Sequence, residues 1–532
     1  MAIKTAEQMA GEQREISVAE FFEKNRHLLG FDNPMKALLI TVKEMVDNSL
    51  DACQEAGIMP EIKVKLKIIN EDRIKISVED NGPGIMKEQM PRIFGKLLYG
   101  SKFYKMQQSR GQQGIGVSAA LLYSQLTTGK ATLVRSRTAA NKPVHEMTIR
   151  IDTMKNEPII LNNITYDKTF NDHGTYIEME IEGKYRKGDR SVDEYMKETA
   201  ISNPFAKFTY YVDSEKIIYP RLIDKLPIEA KSIKPHPYGV ELGIFERMAK
   251  NTKAKSVLSF ITNDFCRVGS GTAKAVLKMA KVSPNNKPNH LDHQEIEKIL
   301  KGLQKSKIMN PPTNCLSPIG EQVLEKAVQK DLKTEFQAAI TRPPSVYRGM
   351  PFLIEVCIGY GGELNPKGTA QIMRFANRVP LLYQASSCAV TKAVQSIAWG
   401  QYHVEHQGNN PTGPLVIAVH MASVWIPYTS ESKEALEPYP EISKEIRLAI
   451  QDCARKLKSY LAGKKRRQLD AKRKGLFEKY LPTVADALAD LSEENNAMIL
   501  KSLEVIVKKE KIEGEDIDDA GEAEEIREET NE

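Results

Sequence analysis

Between Asn33 and Gly57 the apolar residues recur at helical spacing, with Leu38, Leu39, Val42, Met45, Val46 and Leu50 gathered on one side. Asn33 offers a capping oxygen, Pro34 suits the first helical position, and Gly57 stands where a left-handed stop is expected, so the pattern predicts a helix over 33–57. Alternation then takes over. Glu61–Ile69 and Arg73–Val78 alternate apolar and polar residues, as half-buried strands do, and Asn70-Glu71-Asp72 reads as the turn between them. A glycine-rich stretch runs from Asp80 to about Gly116. Ser118–Gln125 is helical in pattern, and further strands follow through Glu178–Ile181.

This first α+β domain is assigned to residues 1–228. Residues 229–310 are lysine-rich and mostly helical, broken at Asn263-Asp264, Gly269-Ser270-Gly271 and Ser283-Pro284-Asn285-Asn286. Pro311-Pro312 and Pro343-Pro344 bracket the entry to a third domain, residues 311–462. Its expected strands are Phe352–Ile358 and Leu415–Val424, and its expected helices Ala389–Ile397 and Lys433–Leu461. Residues 463–532 read as a charged helix and a disordered acidic tail. With 532 residues the chain exceeds what one hydrophobic core supports, so several domains are expected.

Composition narrows the class. No apolar run is long enough to span a bilayer and the N-terminus has no apolar signal core, so a cytosolic protein is the expectation, with no membrane partner. The six cysteines are scattered without a C-x-x-C pair, which argues against a disulfide framework and a zinc site; the pair His403/His406 has no evident third ligand. Glu510–Glu532 holds twelve acidic and two basic residues, a net of −10, so the +6 of the whole chain leaves +16 for the rest. A basic body points to a polyanion such as DNA, while a solubilising tail on a mildly basic protein explains the same numbers.

The candidate chemistry begins on the first helix. In Glu44-x-x-x-Asn48-x-x-Asp51-Ala52 the three polar groups fall within about 60° of one another, on the face opposite the apolar one. Such a face is ordinarily solvated surface. A strand then ends in Asp80-Asn81-Gly82-Pro83-Gly84, where a carboxylate can accept from a purine amine and glycines let backbone approach a planar ring. Arg110-Gly111-Gln112-Gln113-Gly114-Ile115-Gly116-Val117-Ser118 leads into a helix and can offer backbone N–H groups to phosphates, although it lacks the G-K-[ST] ending of a Walker loop. His173-Gly174-Thr175 opens the strand Tyr176–Ile181.

Taken together, in this order, the four stretches resemble the four boxes of the ATPases shared by gyrase, the large heat-shock chaperone, histidine kinases and MutL. The run Lys43–Ala56, the segment Phe94–Phe103 and the loop Arg110–Ser118 resemble more narrowly the B-subunit family of archaeal DNA topoisomerase VI. That resemblance implies an α+β multidomain chain: a Bergerat-type (GHKL) ATPase α/β sandwich, a helix-two-turn-helix insert, a transducer of ribosomal-S5-like α/β fold, and a C-terminal helix with its tail. It implies ATP as the bound nucleotide with Mg²⁺, Glu44 as general base, Asn48 as the metal residue, and Asp80 as the reader of the adenine amine. Asp51, Gly84 and Thr175 would help line the nucleotide site, and Ser101, Lys102 and the lid Gly111, Gln112, Gln113, Gly114, Ile115, Gly116, Val117 and Ser118 would cover the phosphates. Pro427–Lys433 looks like the family's switch loop, with Lys433 reaching the γ-phosphate.

The same resemblance implies the partners. ATP would close two copies into a clamp on double-stranded DNA, with residues 1–23 crossing to the second copy, and a topoisomerase VI A subunit, in an A2B2 heterotetramer, would cut both strands. The acidic tail is a poor scaffold for a cleavage metal, and the chain stops too soon for the immunoglobulin-like domain that some relatives carry. Lys464–Arg467 and Lys472–Lys474 place seven positive charges in eleven residues, which suits either phosphates or a docking surface for the A subunit. A chaperone or repair ATPase would lack the helical insert. A histidine kinase would need a phosphoacceptor helix upstream of residue 33, and a clamp that binds ATP without hydrolysing it would have no use for Glu44.

Overall fold

The computed structural model describes residues 5–11, 13, 15–100, 106–111, 114–167, 171–430, 432–492 and 495–505, so Ser101, Lys102, Gln112, Gln113, Glu431 and the acidic tail lie outside the described residues. The fold divides into two units, residues 1–457 and residues 458–532.

The long helix forms as its caps predict. Asn33 Oδ1 accepts from the backbone N–H groups of Met35 (2.9 Å) and Lys36 (3.4 Å), Pro34 opens the helix Pro34–Glu55, and Gly57 stands just beyond it at φ +71°. The alternating segments become the antiparallel strands Glu61–Asn70 and Arg73–Asp80, in register Val64↔Val78 and Leu66↔Ile76. They sit inside an eight-stranded sheet, ordered Glu157–Tyr166, Val144–Asp152, Thr132–Arg137, Gly174–Glu182, Arg73–Asp80, Glu61–Asn70, Lys207–Val212 and Glu215–Tyr219. All neighbours are antiparallel except Glu61–Asn70 with Lys207–Val212. One face of the sheet packs on the helices Pro34–Glu55, Gly116–Thr128 and Val192–Ser202, and Val64, Ile76, Met45, Leu121 and Met196 meet in that single core. The result is a two-layer α/β sandwich.

Residues 240–308 carry a core of their own. The helices Leu242–Asn251, Val257–Asp264, Ser270–Ala280 and His293–Lys305 enclose Phe245, Phe260 and Phe265, whose ring centroids lie 5.3–5.5 Å apart. A reciprocal capping box between Asp292 and Glu295 starts the last of these helices.

The third region is built on a six-stranded sheet. Met350–Tyr360 pairs antiparallel with Leu415–Ser423 and with Phe336–Thr341, and Gln371–Ala376 runs parallel to Leu415–Ser423. Every residue of Leu415–Ser423 is buried, the mark of a central strand covered on both faces. The expected helix over Lys433–Leu461 begins later, at Pro440, and continues unbroken to Ser492. Pro438 and Pro440 account for the late start, since a residue preceding proline is pushed out of the α region while proline itself suits a helix's first turn. Residues 433–439 are therefore loop and not helix.

A buried polar knot holds this sheet to the segment that enters it. The Glu355 carboxylate accepts from Ile319 N (2.8 Å), Gly320 N (2.7 Å), Thr341 Oγ1 (3.1 Å) and His420 Nδ1 (2.7 Å). The backbone N–H of Arg378 donates to His420 Nε2 (3.1 Å), so that nitrogen is unprotonated and Nδ1 carries the hydrogen that reaches Glu355. Burial pushes the His420 pKa down, and the donors around Glu355 hold its carboxyl below the usual glutamate value despite burial. Both shifts act in one direction. The unfolded chain takes up protons that the folded chain refuses, so stability falls as pH drops through 6.5 and then through 4.5, the ordinary values of the two groups. Glu355→Gln is expected to lower unfolding free energy at pH 7 by about 3 kcal/mol and to flatten its slope below pH 4.5, where Glu355 takes up its proton. Denaturant titrations across that range measure both, and a slope as steep as that of the unmodified chain would remove the pair from acid sensitivity.

Candidate functional site

The polar side of the helix Pro34–Glu55 is not solvated surface. Lys43, Asp47, Ser49 and Asp51 are all buried, and of the residues between Thr41 and Asp51 only Glu44 and Asn48 keep partial access to solvent. The glycine-rich stretch covers them. A β-carbon on Gly116 would collide with the Glu44 carboxylate, and one on Gly111 would lie 3.6 Å from Asn48 Oδ1. Glu44 thus faces the backbone that begins the helix Gly116–Thr128, and Gly116 is what allows it to come so near, while Asn48 lies beside Gly111 at ordinary contact distance.

Asp80 closes the strand Arg73–Asp80 with its carboxylate turned inward. Its oxygens accept from Ser49 Oγ (2.8 Å), Gly82 N (2.9 Å) and Thr175 N (3.1 Å). Burial pushes its pKa up, and these three donors oppose the shift. A carboxylate has about four acceptor sites, so capacity for a further N–H donor remains. Gly84 has φ +72° and lies so close to the Arg137 carbonyl that a β-carbon would collide with it, which fixes the backbone beside Asp80.

Asp51 is engaged by the start of the glycine loop. Its Oδ1 accepts from Arg110 Nη1 (2.7 Å) and its Oδ2 from Gly111 N (3.3 Å), so it anchors the base of the glycine loop. Arg110, buried, also donates through Nη2 to Asn203 Oδ1 (2.6 Å). Ile115 and Val117 pack into the hydrophobic core and can offer only backbone, and Ser118 Oγ donates to Ile115 O (3.1 Å). Gly114, at φ +59°, belongs to the same turn.

Lys433 comes to this site from the third region. Its ammonium, buried, lies 3.8 Å from Glu44 Oε1 and donates to Arg110 O (3.4 Å), and its backbone takes φ +54° to get there. The next residue reinforces the contact, because Glu434 pairs with Lys36 on the long helix at 2.6 Å.

Sequence reasoning missed a second buried layer. Tyr195 Oη donates to Asp47 Oδ1 (3.2 Å), and Lys43 lies one helical turn before Asp47. Burial pushes Asp47 up to about 6, opposed by Lys43 and then helped by Glu44. The i, i+4 spacing of Lys43 and Asp47 was a legible signal, but only packing shows that the pair is buried.

The donor set also speaks to a metal. Among the described residues no three His, Cys, Asp or Glu side chains group as a cage. One partly exposed amide oxygen, that of Asn48 beside Gly111, suits Mg²⁺, which keeps waters and takes phosphate oxygens for most of its ligands.

Residues 35–181 match the family described as histidine kinase-, DNA gyrase B- and HSP90-like ATPase, and residues 311–474 match the topoisomerase VI B subunit transducer. The chain is 46% identical over 498 residues to the type 2 DNA topoisomerase 6 B subunit of Methanosarcina barkeri, covering 93% of this chain and 80% of that one. It is 47% identical over 490 residues to the protein of the same name from Archaeoglobus fulgidus, covering 91% and 81%. The corresponding protein of Thermococcus gammatolerans is 39% identical over 542 residues, covering 93% and 95%.

Removing one partner of the Arg110–Asp51 pair leaves an uncompensated buried charge. Arg110→Ala is expected to lower unfolding free energy by about 3–5 kcal/mol, and Arg110→Ala with Asp51→Ala by less than the sum of the single changes. Thermal or denaturant unfolding measures the cycle, and additive losses would mean that the two side chains do not hold each other.

Proposed function

Because the chain belongs to the family of type 2 DNA topoisomerase 6 B subunits, we propose that it works as the ATPase half of a two-subunit strand-passage machine. It is the ATPase subunit of a type IIB DNA topoisomerase. ATP draws two copies into a clamp on a DNA duplex, and that duplex passes through a double-strand break made by a partner A subunit, relaxing supercoils. The heterotetramer holds two copies of each chain. Ala19 is buried in this chain's own sandwich core and Ser17 Oγ donates to Thr153 O, so the segment that crosses to the second copy ends before Ser17.

The observation that carries the mechanism is the approach of Lys433 to Glu44 beneath the glycine lid. Glu44 takes the proton of the attacking water as that water's oxygen bonds to the γ-phosphorus and the bond to the β-phosphate oxygen breaks. Lys433 contacts the terminal phosphate alone and so distinguishes ATP from ADP, which turns hydrolysis into a change in how the third region meets the first. Asp80 accepts from the adenine amine, with Gly84 and Thr175 shaping the floor beside it. The backbone N–H groups of 111–118, with Ser101 and Lys102, hold the phosphate chain. Mg²⁺, which Asn48 would hold, would supply positive charge to the bound phosphates. The basic run Lys464–Lys474, on the helix Pro440–Ser492, suits phosphate contact and equally suits docking on the A subunit.

Purified with a topoisomerase VI A subunit, the chain is expected to relax supercoiled DNA only when ATP is supplied. Relaxation by this chain alone would overturn the split-subunit reading. Glu44→Gln should bind ATP with affinity near that of the unmodified chain and lose at least about a hundredfold in turnover. Undiminished hydrolysis in that variant would favour a clamp whose closure needs no glutamate base. Lys433→Ala should lose turnover and bind ATP and ADP more nearly alike, and retained discrimination would refute the switch role.

A further inference from the structure

Between the strands Gln371–Ala376 and Val379–Pro380 the chain turns on two residues, Asn377 and Arg378, with Ala376 paired to Val379. Both have positive φ, +48° and +68°, the geometry of a hairpin turn that asparagine and then glycine normally occupy. Arginine at the second position is strained, and both residues are buried. Strain that persists in a buried turn points to surroundings that need these two side chains.

Those surroundings reach in two directions. Asn377 Nδ2 donates one hydrogen to Ser109 O (3.1 Å), at the base of the glycine lid, and the other to Ser423 O (3.0 Å), while its Oδ1 accepts from Ser423 N (2.9 Å). Ser423 ends the central strand whose continuation carries Lys433. One side chain therefore spends both its donors and an acceptor joining the lid to the segment bearing the lysine. Arg378 makes the second half of the clip. Its carbonyl accepts from Ser202 Oγ (2.7 Å) and Asn203 Nδ2 (3.2 Å), and Asn203 Oδ1 in turn accepts from Arg110. Its guanidinium donates to Pro318 O (2.8 Å), and among the described residues no carboxylate lies within ion-pair distance of it. Beside the turn is a cavity of about 310 Å³ lined by Gln108, Ser109, Arg110, Ser317, Asn377 and Arg378, which gives the lid base room to shift.

We propose that Asn377 is a positioning residue for ATP hydrolysis: it clips the base of the phosphate lid to the strand that delivers Lys433, so that the lid and the lysine engage the γ-phosphate together. The inference rests on Lys433 acting in turnover as described above. It predicts that Lys433 loses its value once the clip is cut, which a purely structural role for Asn377 would not produce.

The test is a double-mutant cycle in the complex with the A subunit, reading steady-state ATP turnover and nucleotide affinity. Asn377→Gly suits the turn's backbone and deletes the bridge. It is expected to lower kcat by roughly 10- to 100-fold with ATP affinity changed by less than about threefold. Lys433→Ala, costly alone, should cost less than about twofold more in the Asn377→Gly background. Multiplying costs, or a kcat near that of the unmodified chain in Asn377→Gly, would overturn the inference. A silent Lys433→Ala in the otherwise unmodified chain would instead sink the switch reading beneath it. Thermal melting of each variant reports its folding. If Asn377→Gly does not fold, Asn377→Asp, which keeps the acceptor for Ser423 N and loses both donations, carries the same cycle with the same outcomes.

Discussion

An ammonium group from one region of the chain lies 3.8 Å from a carboxylate of another, both within a mostly buried site, and the rest of the molecule is arranged around that approach. Neither charge would be stable there alone, because a buried ion without a counter-charge costs several kcal/mol. Lys433 and Glu44 therefore compensate each other. Under the proposed function, a phosphate taking the carboxylate's place beside Lys433 would let its loss act on the packing between two folded regions. The neighbouring Lys36–Glu434 pair at 2.6 Å adds a second contact, so the loop meets the long helix at two points.

Burial of the polar face of the helix Pro34–Glu55 follows from the same demand. Gly116 allows backbone to lie against Glu44, and the Arg110–Asp51 pair fixes the start of that loop. Behind Glu44 sit Lys43, Asp47 and Tyr195, a buried polar layer that hydrophobic packing alone would not select. Its ordinary structural alternative, an apolar layer, would be easier to bury but would leave no charge behind Glu44 and Lys433.

Across the interface, the turn Asn377-Arg378 and the Glu355–His420 pair form a continuous set of hydrogen bonds from Ser109 to Ile319. Neutral donors meet neutral acceptors or the single Glu355 carboxylate along this set, and the tautomer of His420 is dictated by the backbone donor at Nε2. Such a set has few alternative arrangements, so movement of the lid base is resisted unless the whole set moves with it.

Local rules made much of this legible before any coordinates. The cap at Asn33, the alternation of Glu61–Asn70 and the glycine spacing around 111–116 each depend on residues near in sequence, and the sequence determined by them the long helix, the strands beside it and the lid. It also offered Glu44, Asn48, Asp80 and Lys433 as chemistry, although the last came only through resemblance. What the tertiary structure alone decided were contacts between residues far apart in the chain: that Asp51 holds Arg110 and the lid, that Lys43 and Asp47 are buried, and that Asn377 joins Ser109 to Ser423. Periodicity reports which way a side chain faces along its own element, and it carries no information about what folds back to meet that face.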